Sequence, residues 1–527
     1  MAKAWHSRIH MKGQVLYNWP RGWCEERLRL SENTGVQDVL YDVAIIGAGI
    51  VGCALAYHLS RYQLKILWLD KNHDVGEGTS KANSAIIHTG FDATPGSLES
   101  ELVTKASRQW PEVARRLQVP LRQTSAMVLA LTEEEKALLP GLLKKSIQNG
   151  VEDVWLITGD EARALEPNIS KAVKGALLVE RESIIDPFTA CSAFAEVAVI
   201  NGVNLVLGLP VESLSKTAAG VKTVHCGSGR QFKARTVVNA AGLGSTTLGT
   251  SYGARPLDIN PRRGQFLVYD KTASGAVSRI LLPVPNPKTK GILIAPTIFG
   301  NIIAGPTAED LPFDPASTAE TTPEGLALIR SGAARLYPGI VGEPAISAYA
   351  GLRCHCRQGQ YQITFNDGLN GVVTLTGIRS TGLTVSIALA EFIHRGLERE
   401  CGLDCQPAAD AVHGRHEDAG PGWVLPRPFE NEARLHQNPD YAHLICYCEQ
   451  ISRQELIDAI HSPLSPRTID ALRRRTRSAS GRCQGFYCLI RIAELISECT
   501  GTALNHITRK GPGSEIIMGS TSRQAGI

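Results

Sequence analysis

The sequence predicts an α/β protein: a dinucleotide-binding fold near the N-terminus, an antiparallel sheet in the middle of the chain, and a small helical C-terminal domain. Three observations predict it. A buried-strand pattern runs into a glycine-rich turn and an apolar helix around residue 50. Short apolar runs of strand length alternate with helical segments between about residues 126 and 336. Two close cysteine pairs, Cys446-x-Cys448 and, after 34 residues, Cys483-x4-Cys488, lie in a helical C-terminal stretch.

The first element opens at Tyr41 with the strand Asp42-Val43-Ala44-Ile45-Ile46, followed by Gly47-Ala48-Gly49-Ile50-Val51-Gly52. An apolar helix, Cys53 to Leu59, and a second strand, Lys65 to Leu69, end at Asp70, 18 residues past the last glycine. A lone GxGxxG is a weak signal, but here strand, helix and acid are all in place. Gly47 permits the tight turn, Gly49 lets the backbone approach a pyrophosphate, and Gly52 lets the helix lie close to the sheet. The helix N-terminus at Ile50 faces the phosphates. Asp70 is suited to the ribose hydroxyls, which disfavours a 2′-phosphate.

FAD and NAD both fit this unit. Three later segments bear on the choice. Gly76-Glu77-Gly78-Thr79-Ser80-Lys81-Ala82-Asn83-Ser84 is polar and can line a long ligand beyond the first unit. The strand Thr236-Val237-Val238-Asn239 ends in the small residues Ala240-Ala241-Gly242, as close contact with a cofactor requires. Thr376-Gly377-Ile378-Arg379-Ser380-Thr381-Gly382-Leu383-Thr384 opens a helix reaching about Arg395, whose N-terminus favours anionic density. No second strand–GxGxxG–helix unit appears for a nicotinamide nucleotide: Gly511-Pro512-Gly513 lacks a buried strand before it.

In the middle of the chain Met127–Ala130 and Gly264–Tyr269 read as strands, Glu133–Gln148 and Thr322–Leu336 as helices. Gly291–Ala295 and Asn301–Gly305, joined at Phe299-Gly300, read as an antiparallel pair. Residues 406–440 carry Pro, Gly and mixed charge without periodicity, a linker pattern. From Ser452 the chain is helical, with apolar positions at Leu456, Ile457, Ile460, Leu472 and Leu489 to Ile496. Residues 1–40 form an N-terminal extension of unassigned role, with several arginines and tryptophans but no apolar core of a secretory signal.

Composition sets the class. With 527 residues, 43% hydrophobic and 20% charged, the chain reads as an ordinary soluble globular protein of two or three domains. A net charge of +4 gives no reason to expect a nucleic-acid partner. No run of about 18 apolar residues predicts a membrane span. The 13 cysteines look scattered rather than framework-like, and cytoplasm is the default compartment.

Four thiolates in two close pairs can ligate an iron–sulfur cluster or a structural zinc. Zinc ribbons favour C-x2-C pairs, and the spacings here are unusual for them. The segment resembles the [2Fe-2S] domain of bacterioferritin-associated ferredoxin. The matching residues are Ile445-Cys446-Tyr447-Cys448-Glu449, the basic run Arg473-Arg474-Arg475-Thr476-Arg477, and Gly481-Arg482-Cys483-Gln484-Gly485-Phe486-Tyr487-Cys488. The resemblance implies a [2Fe-2S] cluster on Cys446, Cys448, Cys483 and Cys488, with the arginines as neighbours of the anionic cluster or as a docking patch.

The four nucleotide-fold segments, in their order, resemble glutathione-reductase-like flavoproteins of the D-amino-acid-oxidase/glycerol-3-phosphate-dehydrogenase superfamily. Gly76 to Gly90, Pro261-Arg262-Arg263-Gly264 and Gly351-Leu352-Arg353 look like its anaerobic glycerol-3-phosphate-dehydrogenase-like branch. Cys354-His355-Cys356 departs from that pattern. The resemblance implies FAD, a discontinuous FAD-binding fold at 41–405 with an inserted substrate domain, the linker 406–440, a cluster domain at 441–514 and a tail at 515–527. It implies FAD contacts from Gly47, Gly49, Ile50, Gly52, Asp70, Lys71, Thr79, Ser80, Asn83, Ser84, Val211, Ala241, Gly242, Gly377, Arg379, Gly382, Leu383 and Thr384.

Flavin oxidation of a C–H bond needs a base for the hydroxyl or amine proton and a holder for the substrate's anionic end. His88, just past the Asn83-Ser84 segment, is the base candidate, with flavin positioning as its alternative role. Arg353 and Arg379 are the anion-clamp candidates, because a guanidinium pairs bidentately with phosphate or carboxylate; Arg263 is a weaker third. Cys354-x-Cys356 and Cys401-x3-Cys405 are expected to pack rather than to share a metal.

The expected activity is oxidation of a small anionic secondary alcohol, sn-glycerol 3-phosphate first. Electrons are expected to leave through the cluster to a quinone-linked protein or carrier. Peripheral association at the inner face of the membrane and partner subunits or oligomers are compatible with this. A 2-hydroxy acid such as 2-hydroxyglutarate, or a secondary amine, is the alternative substrate. An electron carrier without turnover is the alternative of another class.

Overall fold

The computed structural model describes residues 39–286, 290–314, 319–357, 359, 361–415, 427–517 and 519, so the expectations for residues 1–38 and for most of the tail lie outside it. Strand Leu40–Ile46 is the centre of the first sheet. It pairs in parallel with Ile66–Leu69 on one side and with Gln231–Asn239 on the other. Asn204–Val206 continues the sheet beyond Ile66–Leu69, and Val372–Thr376 continues it beyond Val237–Asn239, both in parallel. These strands read as near-continuous apolar runs because both faces are covered, one by helices Ile50–Leu59, Pro187–Ile200 and Gly382–Cys401, the other by apolar residues such as Leu214, Val224, Phe232 and Leu248. Helix Ile50–Leu59 is buried all round, its neighbours being helix Pro187–Ile200 and helix Gly382–Cys401. The last helix runs past the expected end near Arg395 to Cys401, where Gly402 closes it at φ +67°.

The substrate-domain strands lie between the pieces of this sheet. Nine strands form the second sheet, from Ala126–Ala130 to Ala345–Cys356. The expected pair is present as Leu293–Pro296 against Ile302–Gly305, antiparallel. One junction differs from a purely antiparallel sheet: Ile280–Pro283 runs parallel to Ala126–Ala130, because the chain has crossed other elements before returning. The longest ladder joins Ile259–Tyr269 to Ala345–Cys356 and sets Arg262 opposite Arg353. Helices Glu133–Gln148 and Pro323–Leu336 lie at the expected places, capped by Thr132 and Thr322.

The C-terminal domain has its own apolar core around Ile451, Leu456, Leu472, Ile492 and Ile496. Its helices are Arg453–Ile460, Ile469–Thr476 and Leu489–Thr500, the first with a Ser452/Glu455 capping box. It sits on both other domains through charged contacts. Arg474 and Arg475 converge on the buried carboxylate of Asp74, in the loop after Asp70. Arg477 and Lys271 share Glu449 at 3.0 and 2.9 Å, and Arg477 lies 3.7 Å from the centre of the Phe299 ring. The arginine run is therefore largely a docking device within the chain.

Candidate active site and cluster site

The glycines behave as the turn requires. A Cβ on Gly47, at φ +107°, would lie 2.4 Å from the Ala240 carbonyl oxygen, and one on Gly52 would lie 1.9 Å from the Gly47 oxygen. At Gly49 the nearest atom is only the Ser80 hydroxyl at 3.2 Å, which leaves the space before the helix N-terminus open to a ligand. Ser80 Oγ accepts from Ile50 N–H at 2.9 Å, joining the polar segment to the glycine turn. Asp70 ends its strand at the same edge and accepts from Ala48 N–H at 2.6 Å. Its burial raises the carboxyl above the usual range. Lys71 beside it is exposed.

The other predicted contacts gather along the same edge. Ala240 N–H bonds Ile46 C=O at 2.8 Å, which brings Ala241 and Gly242 (φ +60°) beside the first turn. Val211 packs in the same apolar cluster as Ala241. Thr79 Oγ donates to Leu352 C=O at 2.6 Å, and Tyr349 OH donates to Asn83 C=O at 2.8 Å. The Asn83 side chain accepts from Ala85 N–H at 2.7 Å, and Ser84 is half-buried next to it. Gly377 takes φ +70° just before the helix opened by Gly382 and Leu383. Thr384 is wholly buried and accepts from His88 N–H at 3.0 Å, tying that helix to the His88 segment.

His88 extends the short strand Ile86–Ile87, which pairs with Ser183–Ile184 and so sets His88 beside Glu182. His88 Nδ1 lies 3.0 Å from Glu182 Oε2, and among the described residues Nε2 has no hydrogen bond. Burial alone would lower the imidazole pKa, but the charge and hydrogen bond of Glu182 leave it raised. Lys290 and Asp92, 2.5 Å apart, also act on His88. The charge of Arg379 acts on both Lys290 and Arg353.

The three arginines differ. Arg379 pairs with Glu99 at 2.9 Å, and Thr381 OH donates to the same carboxylate at 2.8 Å. Arg263 points to the opposite face of its strand from Arg262 and pairs with Glu309 at 2.7 Å. Arg353 donates to the carbonyls of Thr307 at 2.7 Å and Arg262 at 3.5 Å; the carboxylate whose charge reaches it, Asp310, is ion-paired with Arg262 instead. Burial, with Arg262 close by, lowers its pKa to about 10. A cation so placed leaves room for an anion. Cys354 and Cys356 pack with Ile259, apart from Cys405, which lies near His394 and Glu398. Glu182, Glu99, Asp92 and Lys290 carried no signal in the sequence, since each acts through a partner distant along the chain.

The four C-terminal cysteines meet as two pairs: Cys446 with Cys488, and Cys448 with Cys483. Backbone N–H groups of Ala479 and Glu449 face Cys446, and those of Gly485 and Tyr487 face Cys483. Left-handed residues at Gln450, Arg477, Ala479 and Gln484 bend the loops that supply them. Cys446 and Cys488 are buried, whereas Cys448 is exposed beside Tyr447, Phe486, Tyr487 and Ile490, all exposed as well.

The family model described as FAD dependent oxidoreductase matches residues 42–394, and the BFD-like [2Fe-2S] binding domain matches 444–498. The chain belongs to the DAO family of FAD-dependent oxidoreductases. It is 34% identical to glycerol 3-phosphate dehydrogenase of Caloramator mitchellensis over 92% of this chain and 100% of that protein. It is 24% identical to a subunit of the anaerobic glycerol-3-phosphate dehydrogenase of Escherichia coli K12, over 86% of this chain and 88% of that protein. FAD-bound, dithionite-reduced L-α-glycerophosphate oxidase of Mycoplasma pneumoniae superposes with a TM-score of 0.67 at 27% identity, covering 71% of this chain and 98% of that one. The protein is thus an FAD-dependent oxidoreductase of the glycerol-3-phosphate dehydrogenase/oxidase type, and its cofactors are FAD and a [2Fe-2S] cluster.

Proposed function

We propose that this protein oxidises sn-glycerol 3-phosphate to dihydroxyacetone phosphate and hands the electrons through its cluster to a quinone-linked acceptor. The observation that carries this reading is Arg353: a half-buried guanidinium bonded to a backbone carbonyl, with no ion-paired carboxylate among the described residues. The names of the Caloramator and Escherichia relatives support glycerol 3-phosphate over a 2-hydroxy acid. In this reading Arg353 holds the phosphate with its planar fork, and Arg379, already paired with Glu99, adds positive potential. His88 receives the hydroxyl proton at Nε2. FAD supplies the hydride acceptor and the cluster a one-electron exit. Gly47, Gly49 and Gly52 shape the pyrophosphate cradle, while Asp70 meets the ribose.

Electrons leave at the exposed edge around Cys448, where a partner protein docks. No described helix is long and apolar enough to cross a membrane, and the reading is of a cytoplasmic enzyme that meets the membrane through that partner. Anaerobic stopped-flow reduction of the flavin by glycerol 3-phosphate, L-2-hydroxyglutarate and secondary amino acids tests it. Glycerol 3-phosphate should be the best reductant. Faster reduction by a hydroxy acid or amine would replace the substrate and leave the cofactors standing.

A further inference from the structure

We infer that Glu182 is a positioning residue that fixes the tautomer of His88 and stabilises the imidazolium formed as substrate is oxidised. The inference rests on His88 being the base in the proposed reaction. Glu182 has no exposed surface, so its carboxylate is removed from water and needs donors close by. Oε1 accepts from Thr89 N–H at 2.7 Å and from the Thr89 hydroxyl at 2.9 Å. Oε2 faces His88 Nδ1 at 3.0 Å. A carboxylate only accepts, so Nδ1 must carry the proton and Nε2 presents a lone pair.

The backbone leaves little freedom. His88 N–H is held by Thr384 Oγ at 3.0 Å, and His88 and Glu182 extend one antiparallel ladder; a ring flip would put the Cδ2 carbon in place of Nδ1 and lose the hydrogen bond to Oε2. The charged groups around the imidazole are Glu182, Asp92 and Lys290. Asp92 and Lys290 sit 2.5 Å apart and largely offset each other, which leaves Glu182 as the net charge that the imidazolium meets. When the substrate O–H bond breaks, its proton goes to Nε2; bound FAD would supply the acceptor for the hydride, with its two electrons, that leaves the carbinol carbon. The alcohol becomes a ketone. His88 is then an imidazolium hydrogen-bonded to a carboxylate, the arrangement that makes proton removal easier in the transition state.

The test uses anaerobic holoenzyme with FAD and cluster loaded, following flavin reduction by glycerol 3-phosphate between pH 5 and 9. Glu182→Gln keeps an amide oxygen for Nδ1 but removes the charge. It should lower the limiting reduction rate about 10–100-fold, leave substrate affinity within about twofold, and move the acid limb of the profile down by about one pH unit. An unchanged limiting rate and acid limb in Glu182→Gln, with His88→Ala slow, would overturn the role of Glu182 while the base assignment stands. A normal rate in His88→Ala would overturn the base assignment itself. Should Glu182→Gln fail to retain FAD, Glu182→Asp keeps the charge but retracts it by one methylene. It should then keep the acid limb and lose rate; a parent-like rate would assign Glu182 to folding alone.

Discussion

Asp74→Asn should detach the C-terminal domain from the loop that follows the second strand. Asp74 is 3% exposed and receives Arg474 and Arg475 through bonds of 2.5 to 3.1 Å. Burial would raise its carboxyl, but the two guanidiniums hold it down to about 2 from an ordinary 3.8. At ~1.4 kcal/mol per pH unit, that ionisation contributes ~2.5 kcal/mol. The contribution is complete above the ordinary value and fades as pH falls through the folded one, so at neutral pH it is fully present. The Asn variant loses more, because Arg474 is then left with Glu77 at 3.7 Å and Arg475 with the Ala471 carbonyl and the charge of Glu196. The cost is about 3–5 kcal/mol. By contrast Arg482, 65% exposed in its pair with Asp270, is worth no more than about 1 kcal/mol. Hydrogen exchange of the holo-protein should therefore show helix Ile469–Thr476 opening at least about 10²-fold more often in Asp74→Asn, with slower flavin-to-cluster transfer. Unchanged protection there, with unchanged transfer, would refute the clamp.

The other expectations follow from the same geometry. Gly49→Val should give a folded protein without FAD, since its side chain meets only a hydroxyl, whereas Gly52→Val should fail to fold, its Cβ falling on a backbone oxygen; absorbance and circular dichroism separate the two. Anaerobically prepared protein should carry two irons per chain, and Cys483→Ser should lose them yet keep FAD and dye-linked oxidation; zinc in those preparations would contradict the electron exit. Arg353→Ala should weaken glycerol 3-phosphate binding by about 1.5–3 kcal/mol, the worth of a charge-assisted hydrogen bond, with Arg353→Lys recovering part. Arg379→Ala should do less, and the reverse ranking in titrations of flavin absorbance would move the clamp to Arg379.

What could be read in the sequence was local. Gly47, Gly49, Gly52 and Asp70 fall within one βαβ unit, where spacing alone carries the geometry. The cysteine pairs are likewise short-range motifs. The partners that decide each residue's chemistry were not legible. Glu182 is 94 residues from His88, Glu99 is 280 from Arg379, and Asp74 is 400 from Arg474. The sequence ranks Arg263 behind Arg353 as an anion clamp without a physical reason, and the ladder that pairs Arg262 with Arg353 supplies one: Arg263 faces the other way. The parallel junction between Ile280–Pro283 and Ala126–Ala130 was hidden for the same reason: strand neighbours set by long crossovers leave no mark on either strand.

The unequal exposure of the four sulfurs has a chemical cost. Cys446 and Cys488 are sealed at 1% and 0% exposure, while Cys448 stands in solvent and Cys483 is half-covered. Oxidants reach thiolates that water reaches, so oxidative damage to this centre should begin at Cys448 and progress inward. The edge proposed for electron exit is also the edge that dioxygen should reach first. A partner seated over Tyr447, Phe486 and Tyr487 would close both routes at once to everything except itself. Its presence should therefore lengthen the lifetime of the cluster in air as well as drain its electrons.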